Sequence, residues 1–176
     1  LVCENGKALF ECETVDNSKV TNTVHLPKIS ADFFKTDVKD KFDAIELIPE
    51  SIITKKVTVS YSDSLSKVCV IERHHNLGTK GIGFVTNYGI TNGAIATSIG
   101  HDSHNVIVIC DNDSDMALAV NTLATSGGIA VCSEGKVIAS MTLDIAGLMS
   151  VKSADEVTRE HDNLYSAAKV LNITDK

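Results

Sequence analysis

The sequence predicts an α+β fold: an antiparallel or mixed sheet covered by helices, with a short N-terminal β-hairpin segment. Three observations carry this. Short runs rich in Val and Ile, several with period-two alternation, succeed one another with little more than turn residues between them. Two segments then switch to helical spacing, one after the middle strands and one at the end of the chain. Strands and helices do not alternate regularly enough for a TIM barrel or a Rossmann domain, so the helices are expected to cover one face of the sheet.

The elements follow in order. Residues 1–13 read as a hairpin turning at Asn5-Gly6, a dipeptide that accepts positive φ at both central positions. Residues 14–28 are polar with few apolar anchors and read as a connector. Ser30 is placed to cap a short helix or turn anchored by Phe33 and Phe34. From Phe42 the pattern is strand-like through "FDAIELIPE" and "SIITKKVTVSY". Further strands are expected over 67–73, 82–86, 94–99, 105–109, 129–132 and 137–143. Asn92-Gly93 reads as a hairpin turn joining "GIGFVTNYGI" to "GAIATSIG", and Glu134-Gly135 as another. "NVIVIC" is a continuous apolar run of the fully buried kind. One helix is expected over about 114–125, started by Asn112 or Asp113 and ended by Gly127. A second is expected over about 154–170, with Ser153 and Glu156 as a capping box. Val157, His161, Leu164, Ala168 and Leu171 share its apolar face. Met141 and Met149 read as core packing.

With 176 residues the chain can form one compact domain, or one domain with an appendage. It is 43% hydrophobic and 22% charged, which fits a folded soluble protein. The net charge is −7 with no block of Lys or Arg, which argues against nucleic acid, since phosphate binding needs a basic face. No apolar run reaches the ~18 residues of a membrane span. The cysteines, Cys3, Cys12, Cys69, Cys110 and Cys132, are scattered and never spaced C-x-x-C. They are expected as reduced, mostly buried thiols of a cytoplasmic protein. The opening Leu-Val-Cys carries no signal-peptide pattern and fits the interior of a longer chain.

The chemistry-bearing residues fall in two clusters. "ERHHN" puts His74 and His75 at a strand end, and "HDSHN" puts His101, Asp102, Ser103, His104 and Asn105 between two buried strands. Loops at strand ends gather into sites, so His101 and His104 are expected to lie close to His74 or His75. His101 and His104 with Asp102 can supply metal donors, but the spacing is not diagnostic of a metal site. An imidazole beside a carboxylate can also shuttle protons. Alternatively, Asp102, Ser103 and Asn105 bond their own backbone in a sharp turn and the histidines satisfy buried groups. None of these residues is assigned a certain catalytic role, and no metal ligand is assigned. Gly78, Gly81 and Gly83 do not form a dinucleotide fingerprint and read as turn and packing glycines.

"IERHH", "GIGFV", "YGI", "GAIATSIGHDSHNVIV", "NDSDMALAVNTL", "GG" and "IAGLMS" together resemble the C-terminal region of the adenine deaminase family, amidohydrolase-type enzymes. "NTVHLP" and "ELIPESIITKKV" resemble the stretch that joins the family's barrel to that region, and "ENGKALFE" the end of its small β-domain. Asp144, Cys110, Asp111 and Ile129 depart from the family's pattern, all outside the His-rich loop. The resemblance implies hydrolysis of adenine to hypoxanthine and ammonia in a barrel holding Mn, Fe or Zn. This chain has no His-x-His and no room for a barrel, so it corresponds to the region without the metal centre, and no cofactor is expected within it. The resemblance further implies that 1–28 end a small β-domain plus connector and that 29–176 form the C-terminal α+β domain. His74, His75 and the residues 101–105 become candidate pocket-lining groups. The implied partners are adenine through the full-length enzyme, the barrel domain, and further copies in a homo-oligomer. The alternative from another class is a non-catalytic module for small-ligand or metal binding, or for assembly.

Overall fold

The structure, a computed structural model, describes residues 2–11, 13, 15–37, 40–62 and 64–173. Strands β1 (Cys3–Glu4) and β2 (Lys7–Ala8) form the expected hairpin, with Asn5 at φ 48° and Gly6 at φ 76°. Cys12 lies outside the described residues. A 3-10 turn over Ala31–Phe34 buries the Phe34 ring. Ser30 precedes it, but its side chain makes no capping bond; its carbonyl accepts from Phe33 N instead.

The main sheet contains β3 (Lys41–Leu47), β4 (Thr54–Ser60), β5 (Ser66–Ile71), β6 (Lys80–Thr86), β7 (Gly93–Gly100), β8 (Asn105–Cys110), β9 (Gly128–Ser133) and β10 (Lys136–Thr142). Their order is β10-β9-β7-β8-β5-β6-β3-β4. Every pairing is antiparallel except β3 with β6, so the sheet is mixed. Helices α1 (Asp113–Thr122) and α2 (Ala154–Val170) complete a fold that is broadly α+β and dominated by its sheet.

The strands at the sheet centre are buried on both faces. Ala94, Ala96, Val106, Val108, Cys110, Ala130 and Cys132 pack with Met116, Ala119, Val120 and Leu123 of the α1 segment and with Phe34. The intervening residues Ile95, Ile109, Ile129 and Val131 pack on the opposite face with Leu164, Ala167 and Leu171 of the α2 segment. The helices therefore cover both faces, not one. The alternation explains this: both residue parities of the central strands are apolar, so one helix cannot shield them all.

Asn92-Gly93 does not form the expected hairpin. β6 lies between β5 and β3, whereas β7 lies between β8 and β9. The turn instead docks the start of β7. Asp111 Oδ1 accepts from Gly93 N at 2.9 Å, and Ser133 Oγ donates to Asn92 O at 2.6 Å. A Cβ on Gly93 would stand 2.2 Å from the Cys132 carbonyl, so only glycine allows this approach.

Helix α1 starts at its expected cap, with Asn112 accepting from Asp115 N, and ends sooner than expected because Leu123 N turns to Val120 O. Ser153 and Glu156 close both bonds of the capping box of α2. His161 does not share the apolar face of α2; its side chain is 66% exposed. Met141 is buried as expected, but Met149 is not, being 58% exposed in the turn after β10. Cys69, Cys110 and Cys132 are buried free thiols, and burial pushes each up to about 12. No helix among the described residues is long and apolar enough to cross a membrane.

Candidate functional site

Three loops meet at one end of the sheet. Antiparallel pairing of β5 with β8 sets Ile71 opposite Val106, so the loop leaving β5 lies beside the loop entering β8. The β7–β8 loop, 101–104, holds the first four residues of the HDSHN stretch, and Asn105 opens β8. The segment after β10 approaches from the other side, and the connector crosses it through a Thr21–Ile145 bridge.

The 72–77 loop is shaped by one carboxylate. Glu72 accepts from the backbone N–H of His74 at 2.5 Å, His75 at 2.8 Å and Leu77 at 3.1 Å. Burial alone raises its pKa, but these three donors outweigh it and hold the carboxyl below the usual glutamate value. The loop thus presents His74 and His75 outward, their ring centroids 6.4 Å apart.

The loops that carry the two histidine clusters meet at Ser103. His74 Nε2 lies 3.0 Å from the Ser103 carbonyl, which can only accept, so the ring donates from Nε2 in this pairing. His101 and His104 stack edge to face with centroids 6.1 Å apart. His101 Nδ1 contacts the Asp102 carboxylate, and both side chains are more than four-fifths exposed. Of the expected turn-stabilising bonds, Ser103 makes one, accepting from Asn105 N at 3.4 Å. His104 N donates to Gly100 O, and His104 sits at φ 50°. Its Nδ1 and the Oδ1 of Asn105 are buried atoms with no hydrogen-bond partner among the described residues.

Two further residues organise this end, and neither was a sequence candidate. Arg73 is 2% exposed. Its Nε donates to the His104 carbonyl and its Nη2 to the Ala146 carbonyl at 2.9 Å, while its own carbonyl accepts from His25 N at 2.8 Å. Burial lowers its pKa from the usual arginine value. Ser98, fully buried, accepts from Gly128 N at 2.7 Å and donates to Gly147 O at 2.5 Å. Period-two continuation was the available signal: Cys69, Ile71 and Arg73 share one face, as do Ala94, Ala96 and Ser98.

This arrangement offers imidazoles and a carboxylate for proton transfer and hydrogen bonding. It does not offer a metal centre: no group of three His, Cys, Asp or Glu among the described residues is placed to hold one. The divalent metal that the sequence resemblance implies therefore has no fitting donor set among the described residues.

Comparison with known proteins agrees with the sequence resemblance. The family described as adenine deaminase C-terminal domain matches residues 46–176. "Adenine deaminase 2" of Carboxydothermus hydrogenoformans is 36% identical over 99% of this chain, which corresponds to 33% of that protein. The adenine deaminase of Clostridium botulinum is 42% identical over 84% of this chain and 28% of its own length. That of Clostridium acetobutylicum is 40% identical over 90% and 29% respectively. The chain spans about a third of the length of the relatives it matches. It thereby belongs, as the C-terminal region, to the adenine deaminase C-terminal domain family.

Proposed function

We propose that this chain is the C-terminal part of a purine aminohydrolase that converts adenine to hypoxanthine and ammonia. The match to proteins named adenine deaminase over 99% of the chain supports the activity. In this reading residues 1–28 end a small β-domain plus connector, and 29–176 form the domain that packs against the missing barrel. The barrel, not this chain, holds the Mn, Fe or Zn. The three buried thiols support a cytoplasmic setting.

One observation carries the role of the HDSHN loop. His104 Nδ1 and Asn105 Oδ1 are buried yet unpaired among the described residues. Buried polar atoms in folded proteins have partners, and leaving one unmet costs on the order of 1–3 kcal/mol. Both atoms are closed to solvent here, so in this reading the loop shifts on docking to the barrel and the purine then supplies their partners. A ring nitrogen of imidazole and a carboxamide oxygen are suited to the ring nitrogens and exocyclic amine of adenine. His74, His75, His101, Asp102 and Ser103 form the rim around them.

The activity is tested by assaying ammonia release from adenine with the full-length protein and with the 176-residue chain, both supplied with Mn. Metal-dependent release by the full-length protein alone supports the reading. No release by the full-length protein, or release by the chain alone, contradicts it.

A further inference from the structure

Arg73 is a buried cation, 2% exposed. No ion pair involves it among the described residues. Burying a charge without a counter-charge is costly, and a well-packed apolar residue of similar volume is often as stabilising or more so. What the guanidinium adds is direction. Its planar fork holds two acceptors in one fixed geometry, which a freely rotating ammonium does not.

Both acceptors are loop carbonyls at the candidate site. One belongs to His104, the other to Ala146. The second loop is built to admit the fork: Gly147 has φ 68°, and a Cβ there would stand 2.8 Å from Arg73 Nη1. His104 itself holds a left-handed backbone, which fixes the direction of its side chain. That side chain carries the unpaired Nδ1.

We propose that Arg73 is a positioning residue for the deamination reaction: by clasping the backbones of His104 and Ala146, it sets where the His104 imidazole is presented to the purine. The inference rests on the pocket reading above. Arg73 touches neither substrate nor metal in this account and acts through His104.

The test uses the full-length enzyme with Arg73→Lys, His104→Ala and the double variant, each assayed on adenine and melted thermally. Lys keeps the charge and the stem but cannot hold both carbonyls in one plane. Arg73→Lys should lower kcat/KM by about 10-fold or more, since small misplacements of a substrate-contacting group are costly to rate. In the His104→Ala background the same change should have little further effect, because its route of action is gone. Wild-type kinetics in Arg73→Lys would overturn the proposal. So would a loss that adds in full on top of His104→Ala, or failure of Arg73→Lys to fold, which assigns the residue to the scaffold. Unchanged kinetics in His104→Ala would instead strike the pocket reading and take this proposal with it. A deficient His104→Ala beside a normal Arg73→Lys strikes this proposal alone.

Discussion

His74 Nε2 donates to the carbonyl of Ser103 across 3.0 Å, joining residues 29 positions apart and uniting the two histidine clusters at one end of the sheet. The bond is exposed, so its net contribution to stability is at most about 1 kcal/mol. Its effect is local. His74→Ala should leave the melting temperature almost unchanged while amide hydrogen exchange speeds up over residues 101–105. His74→Gln, whose amide nitrogen can occupy the place of Nε2, should restore slow exchange. Equal exchange in wild type and His74→Ala would show that the bond does not hold the loop.

The Glu72 carboxylate organises the other loop, and its pKa gives the pH dependence. The folded-state value is depressed below the ordinary 4.5. The stabilisation is therefore complete above 4.5 and is lost as pH falls through the folded value. The amide resonances of His74, His75 and Leu77 should titrate together in that acid range. In Glu72→Gln the common step should be absent and the loop already altered at neutral pH. Independent titrations of the three amides would refute the shared acceptor.

Thiol reactivity separates the cysteines by burial. With pKa values of about 12, Cys69, Cys110 and Cys132 carry almost no thiolate at pH 8 and are covered by packed side chains. Site-resolved mass spectrometry after iodoacetamide should find Cys3 alkylated and these three protected until denaturant is added. Labelling of Cys110 in the native protein would contradict its place under α1.

The capping box of α2 has a measurable weight. Ser153→Ala removes the acceptor for Glu156 N and one partner of the Glu156 carboxylate. The expected destabilisation is about 1 kcal/mol, read from the denaturant midpoint. No change would mean that burial of Leu164, Ala167 and Leu171 alone holds the helix start.

The fold was largely legible because its elements obey local rules. The Asn5-Gly6 and Glu134-Gly135 turns, the Asn112 and Ser153 caps and the run "NVIVIC" each state their structure within a few residues. Asn92-Gly93 misled because the dipeptide reports a turn and not the partner; Asp111 and Ser133, distant in sequence, decide where that turn docks. The two-faced helical cover was available in "NVIVIC", since a continuous apolar run needs shielding on both sides. At the site, the histidine clusters stood out by composition. For Arg73 and Ser98 period-two spacing marks the buried face, but not their partners, which are carbonyls and amides of other loops.

We propose above that the HDSHN loop lines a purine pocket and is more than a tie between domains. The most direct measurement is steady-state kinetics on adenine for full-length His104→Ala, with His101→Ala beside it and a thermal melt of each. For His104→Ala kcat/KM should fall about 10-fold or more, at least ~1.4 kcal/mol of transition-state stabilisation, with the folded state retained. Wild-type kinetics in the folded fraction of both variants, accompanied by a lowered melting temperature, would contradict it and reduce the loop to a structural tie.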